Sequence, residues 1–215
     1  MDTDNQELLR ERLIIFTRYP EPGKTKTRMI PALGASGAAA LQRQMTEHTM
    51  SETRELKAWR SLSVEVHFNG GSQQLMQEWL GSEFVYRKQR EGDLGIRMTA
   101  AFEASFAAGM TRVVIIGTDC PDLNAKLMSQ ALQALAEHDL VLGPARDGGY
   151  YLIGLRRLFP ELFRGISWGT SEVRQKTLEI AKNLNLEIAQ LSPLSDVDRP
   201  EDLWVVSNFN WSRFN

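Results

Sequence analysis

One cysteine, Cys120, stands among 215 residues, so no internal disulfide framework holds this chain and a small disulfide-stapled scaffold is excluded. Histidine is nearly as scarce: His48, His67 and His138 lie far apart, without the spacing of a zinc site. No apolar run approaches the roughly 20 residues that span a bilayer. The opening Met1–Glu7 is polar and acidic, unlike a signal peptide. The expectation is a cytoplasmic protein without a membrane span. A formal net charge of -2 provides no bulk field for nucleic acid or an anionic membrane. Repeats, linkers and low-complexity stretches are missing too, which leaves specificity to the loops between regular elements.

What is present is an ordinary globular composition, 42% hydrophobic and 24% charged, in a chain long enough for one sizeable core. A single domain over residues 1–215 is the simplest reading. Strand-like and helix-like segments alternate throughout, the pattern of βα units around a mostly parallel sheet. Strands are expected at Leu13–Thr17, Leu62–Phe68, Phe84–Lys88, Arg112–Ile116, Leu140–Gly143, Tyr150–Leu155 and Leu186–Leu191. Between and after them, apolar periodicity predicts helices over about 37–60, 73–80, 94–108, 124–137, 171–183 and 201–207.

The most informative stretch is Arg112–Asp122. Val113, Val114, Ile115 and Ile116 suit a central strand covered on both faces. Gly117 then lets the chain turn and Asp119 follows, at the strand end where open α/β sheets bind ligands. A carboxylate there needs a cation or a donor beside it. The plainer alternative makes Asp119 an Asx-turn residue and Asp122 the cap of the next helix.

The loop after the first strand, Arg18 to Arg28, carries Arg18, Lys24, Lys26 and Arg28. Gly23-Lys24-Thr25 invites comparison with a P-loop, but Arg18 occupies a position where that motif has glycine, and Pro20 and Pro22 lack the N–H groups that cradle phosphate. Side chains must therefore grip any anion. Lys24 as a point charge and Arg28 as a two-pronged donor, with Lys26 and Thr27 between, suit a diphosphate; the alternative is a solvated basic loop.

Three further loops stand out. Gly92-Asp93-Leu94-Gly95 can present backbone amides to a base or phosphate, with Arg97 one turn on, although Asp93 also suits an N-cap. Asp147-Gly148-Gly149-Tyr150, together with Trp168, would wall an acceptor pocket, or else form a tight hairpin with buried aromatics. Asp196-Val197-Asp198 precedes the last helix, where Asp198 and Glu201 have capping-box spacing and Pro200 suits the first turn. If the last strand lay beside the one ending at Asp119, Asp198 and Asp119 would meet on one Mg2+ or Mn2+, hard ions that take oxygen ligands.

Pro22–Arg28, Gly92–Met98, Gly117–Asp122, Gly143–Leu152 and Asp196–Leu203, in that order, resemble the GT-A-type nucleotide-diphospho-sugar transferases. The nearest likeness is to a bacterial glycosyltransferase group, some members of which are associated with arsenosugar biosynthesis. The basic loop and late acids are also similar to small nucleotidyltransferases such as the phospholactate guanylyltransferases. The resemblance implies a three-layer αβα sandwich, Rossmann-like, with a mostly parallel mixed sheet. It puts Asp119 in place of the Asp-x-Asp metal site; the next acid, Asp122, falls three residues on and is left to capping. In this picture Asp119 and Asp198 hold Mg2+ or Mn2+. Arg18, Gly23, Lys24, Lys26, Thr27, Arg28, Gly92, Asp93, Leu94, Gly95 and Arg97 bind the nucleotide, and Gly148, Gly149, Tyr150 and Trp168 the acceptor. Lys24 and Arg28 stabilise the leaving diphosphate, and Asp147 is the candidate acceptor-activating base. The expected reaction moves a sugar from a nucleotide-diphosphate donor to an acceptor. Nucleotidyl transfer from an NTP to a phosphorylated acceptor, with pyrophosphate release, is the alternative, and a nucleotide-binding protein without turnover is a third.

Overall fold

A computed structural model describes residues 10–207; Met1–Glu7, the polar opening of the chain, lies outside them. The strands are β1 (Glu11–Arg18), β2 (Ser63–Asn69), β3 (Val85–Lys88), β4 (Arg112–Ile116), β5 (Leu140–Pro144), β6 (Tyr150–Leu155) and β7 (Ile188–Gln190). The helices are α1 (Ile30–Trp59), α2 (Gln73–Leu80), α3 (Leu94–Ala107), α4 (Ala125–Ala134), α5 (Val173–Asn183) and α6 (Leu203–Ser207). The strands form one seven-stranded sheet in the order β3-β2-β1-β4-β6-β5-β7. It is parallel except for β6, which runs antiparallel to both β4 and β5. The mixed sheet and three-layer arrangement are those expected from the sequence.

Alternation along the strands builds the layers. Leu13 and Ile15 of β1 pack with Met50 and Leu56 of α1, Met76 of α2 and Met128 of α4. Ile14 points the other way, to Met98 and Phe102 of α3 and Ala181 of α5. The run in β4 has Val113, Val114 and Ile116 at 0% exposure, as a strand paired on both sides and covered on both faces should. Among the described residues, no helix is long and apolar enough to cross a membrane.

The first helix begins seven residues before its expected start. Pro31 fits its first turn, where a missing N–H costs nothing. Gly34, at φ 68°, then breaks the helical path before the long segment continues. This early segment is held by a small third core in which Met29, Ala38 and Met45 meet Val197 and Val205. That core ties the end of the basic loop to the last acidic segment, a contact no local periodicity reveals.

Two capping assignments change. Asn124, not Asp122, caps α4 by accepting from Leu127 N at 3.1 Å, while Asp122 is exposed. Before the last helix the capping carboxylate belongs to Asp202, which accepts from Asp198 N at 3.0 Å and Arg199 N at 2.8 Å. One acid thereby satisfies two amides, and the Asp198 carboxylate is released from the capping role.

Candidate functional site

From β1 the chain moves outward through β2 to β3, then returns to place β4 on the other side of β1. The carboxyl ends of β1 and β4 thus flank the topological switch point, the crevice where open α/β sheets hold ligands. The basic loop leaves one and the acidic turn leaves the other.

They meet through Lys26. Its ammonium donates to Asp119 Oδ1 at 2.6 Å and to the Val197 carbonyl at 2.6 Å. The Lys26 side chain is only 4% exposed and that of Asp119 is 50% exposed. The cation that a carboxylate at this strand end requires is therefore an intramolecular lysine. Lys26 achieves this reach from a left-handed backbone conformation, φ 44° and ψ 49°, which costs a residue with a Cβ about 1 kcal/mol.

The remaining members of the basic loop divide their work. Arg18 donates to the Lys24 carbonyl at 2.8 Å. Lys24 pairs with Glu21 at 2.7 Å on the surface, and Thr25 is buried and donates to Tyr19 O. Gly23, at φ 79°, provides the turn, and Thr27 opens a short 3-10 turn. Arg28 forms an ion pair with Asp198. Lys26 and Arg28 thus each neutralise one of the proposed metal-site acids.

Asp198 does not arrive as the sequence suggested. β7 lies at the sheet edge beside β5, with β6 and β5 between it and β4. The loop after β7 recrosses the sheet end instead: Leu194 bridges Ala145, and Val197 N donates to Asp119 O at 2.9 Å. Val197 is fully buried, and its neighbours Asp196 and Asp198 line the cleft. Among the described residues no group of three His, Cys, Asp or Glu side chains is placed to hold a metal ion.

A hollow of about 200 Å3 opens beside Asp119, lined among others by Leu94, Asp147, Tyr150, Trp168 and Asp196. Asp147 accepts from Gly149 N at 2.8 Å, an Asx-type turn that fixes its carboxylate. Gly148, at φ 95°, runs so close to Ser171 that a Cβ would lie 2.2 Å from its carbonyl oxygen. The Tyr150 hydroxyl is buried, and burial pushes its pKa well above the usual phenol range. Burial likewise raises the thiol of Cys120, which also lines the hollow. Asp196 was not singled out as a site residue. Burial, reinforced by the Asp147 carboxylate, raises its pKa to about 6. Its only sequence signal was the two-residue spacing from Asp198.

On the opposite wall Asp93 caps α3, accepting from Ile96 N at 2.8 Å. Arg97 folds back to Gly92 O at 2.8 Å and to Gln89 Oε1 at 3.4 Å, so it fastens the glycine loop. Gly92 has φ 126°. Gly95 is required by close approach: a Cβ there would lie 2.7 Å from Phe163 O and 2.9 Å from the Trp168 indole. Trp168 is thereby seated between α3 and the hollow.

Beneath the acidic turn lies a buried polar network that sequence spacing did not show. The Gln42 amide of α1 donates to Thr46 Oγ1 at 3.0 Å and Thr118 Oγ1 at 3.2 Å, and Thr17 Oγ1 lies 2.9 Å from Thr46. On the other flank His48 Nε2 donates to Pro121 O at 2.7 Å, and burial lowers the His48 pKa. One helix therefore anchors the turn on both sides of Asp119.

Known proteins resemble this arrangement. The family described as "Uncharacterized protein conserved in bacteria (DUF2064)" matches residues 52–170. A solved structure of a candidate nucleotide-diphospho-sugar transferase from Desulfovibrio desulfuricans is 36% identical, covers 94% of this chain and 88% of its own, and superposes with a TM-score of 0.85. A 3-phospho-D-glycerate guanylyltransferase of Phenylobacterium zucineum is 34% identical over 112 residues, 49% of this chain and 50% of that protein. The chain thus spans half the length of this curated relative. The 4-diphosphocytidyl-2C-methyl-D-erythritol synthase of Anaerococcus prevotii shares the fold alone, at 9% identity over 92% of this chain and 94% of that one, with a TM-score of 0.61. The fold is that of the nucleotidyl and nucleotide-diphospho-sugar transferases.

Proposed function

The chain belongs to the DUF2064 family, and from that premise we propose that it is a metal-dependent glycosyltransferase using a nucleotide-diphosphate sugar donor. The observation that carries this reading is the lining of the smaller hollow. Asp119, Asp147 and Asp196 border it with Tyr150 and Trp168, and among the described residues that line it there is no lysine or arginine. Carboxylates accept hydrogen bonds from hydroxyls, and an indole face packs on the apolar face of a sugar ring. An anionic group would fare badly there: two like charges 5 Å apart repel by about 3 kcal/mol at an effective dielectric near 20. The basic loop on the far side of Asp119 provides the complementary place for the diphosphate.

In this reading Lys24 and Arg28 turn from their surface partners to the diphosphate and stabilise the charge that develops as it leaves. Asp147, held by Gly149 N, takes the proton of the acceptor hydroxyl. Gly92, Asp93, Leu94 and Gly95 form the wall for the nucleoside, while Gly148, Gly149, Tyr150 and Trp168 face the acceptor. Asp119 and Asp198 suit Mg2+ or Mn2+, because they offer only hard oxygen donors and Asp119 is half exposed. An ion held by these residues would supply Lewis-acid stabilisation of the diphosphate.

Nucleotidyl transfer is the second reading. The guanylyltransferase relative favours it, as does a wider adjoining cleft of about 620 Å3 where Arg146 and Arg199 would hold an acceptor phosphate. The nature of the released product separates the two. Purified protein is incubated with Mn2+, panels of nucleotide-sugars and NTPs, and hydroxyl or phosphorylated acceptors. Release of nucleoside diphosphate from a nucleotide-sugar is expected; pyrophosphate release from an NTP would replace the glycosyl reading with the nucleotidyl one.

A further inference from the structure

We propose that Lys26 is a built-in counter-cation for Asp119, so that a divalent ion enters the site together with a nucleotide diphosphate and not before it. The inference rests on the reading of Asp119 as a metal ligand. Its basis is the seat of one ammonium group. Lys26 Nζ lies 2.6 Å from Asp119 Oδ1 and 2.6 Å from Val197 O, on a side chain 4% exposed. Lys24, by contrast, is 72% exposed and pairs with Glu21. The left-handed backbone of Lys26 persists because both contacts hold the side chain inward.

Charge decides the order of binding. Lys26 and Asp119 together are neutral, so the ammonium cancels the pull of Asp119 on a bare divalent ion and leaves the other carboxylates of the hollow, Asp147 and Asp196, to attract it. Asp198 cannot compensate, since Arg28 already pairs with it. A diphosphate reverses the balance. An ammonium has three N–H donors, and two are committed to Asp119 and Val197, which leaves one for a phosphate oxygen. The added negative charge then outweighs Lys26 and Arg28 together, and the ion is held more tightly than by the protein alone. Because binding free energies are reciprocal, the ion must strengthen nucleotide binding by the same factor.

The test measures Mn2+ binding by electron paramagnetic resonance, alone and with saturating uridine or guanosine diphosphate. It uses the wild type, Lys26→Met, Lys26→Arg, Asp119→Asn, and Lys26→Met combined with Asp119→Asn. Wild type and Lys26→Arg are expected to bind Mn2+ at least about 10-fold more weakly without nucleotide than with it, and Lys26→Met to bind Mn2+ alone at least about 10-fold more tightly than wild type. Equal affinity of wild type and Lys26→Met for Mn2+ alone overturns the inference while leaving Asp119 a ligand. A gain in Lys26→Met that survives Asp119→Asn overturns the metal assignment itself, as does the absence of Mn2+ binding in every form. If Lys26→Met does not fold, the wild type still decides: Mn2+ affinity unchanged by nucleotide refutes the ordered entry.

Discussion

Replacing Gln42 with leucine should destabilise the protein by about 3 kcal/mol, because two of its hydrogen bonds are buried and one of them supports the acidic turn. Gln42, Thr17, Thr46 and Thr118 are at most 6% exposed, so water does not substitute for a lost partner. The amide has two hydrogens, and the best-placed acceptors are Thr46 at 3.0 Å and Thr118 at 3.2 Å; Thr17, at 3.4 Å, adds little. Each good bond contributes about 1 kcal/mol net. The Thr118 hydroxyl then keeps only a 3.5 Å contact to Thr17, and a poorly satisfied buried hydroxyl costs about 1 kcal/mol or more. Leucine nearly matches the volume, so a cavity contributes little. Urea unfolding should show a lower midpoint at unchanged slope, and thermal unfolding a drop of about 6–12 °C. Adding Thr118→Val should recover part of the loss, since apolar groups on both sides of a removed hydrogen bond carry no desolvation penalty. A cost below about 0.5 kcal/mol, or a double variant no more stable than Gln42→Leu, would refute the reasoning.

Gly95→Ala should cost about 1–3 kcal/mol, because the new methyl meets the fixed carbonyl of Phe163 at 2.7 Å as well as the Trp168 ring; urea unfolding measures the cost, and a shift in Trp fluorescence reports the displaced indole. Glu65 is buried among Arg12, Arg87 and His67. Burial alone would raise its pKa, but hydrogen bonds from His67 and Arg87 and the charge of Arg12 outweigh it and hold the value at about 2. Since the folded value lies below the ordinary 4.5, the stabilisation is complete above about pH 4.5 and is lost as pH falls toward 2. Urea midpoints across that range should show the advantage of wild type over Glu65→Gln shrinking by about 3 kcal/mol.

Much of the fold was legible because its signals are local. The unbroken Val113–Ile116 run marked a central strand, and the apolar Leu13–Thr17 run marked the first one. The capping role of Asp93 was equally readable, since its partner lies three residues away. What escaped were relations set only by folding. The partner of Asp119 is 93 residues distant, and Gln42 reaches Thr118 across 76. Spacing within the loop could not distinguish the buried Lys26 from the exposed Lys24, because the difference lies in one left-handed residue. Asp198 and Asp122 looked like caps on sequence grounds, yet Asp202 and Asn124 took those roles. A carboxylate or amide one or two residues along can serve the same amides, and tertiary packing selects between them.

The role proposed for Asp119 is that of the carboxylate through which a divalent ion strengthens diphosphate binding. Isothermal titration of uridine and guanosine diphosphate, with and without Mn2+, into wild type and Asp119→Ala tests this most directly. In the wild type Mn2+ should tighten binding of at least one nucleotide by about 10-fold or more, and in Asp119→Ala that enhancement should vanish while metal-free binding to the basic loop persists. An enhancement of equal size in both proteins would contradict the account.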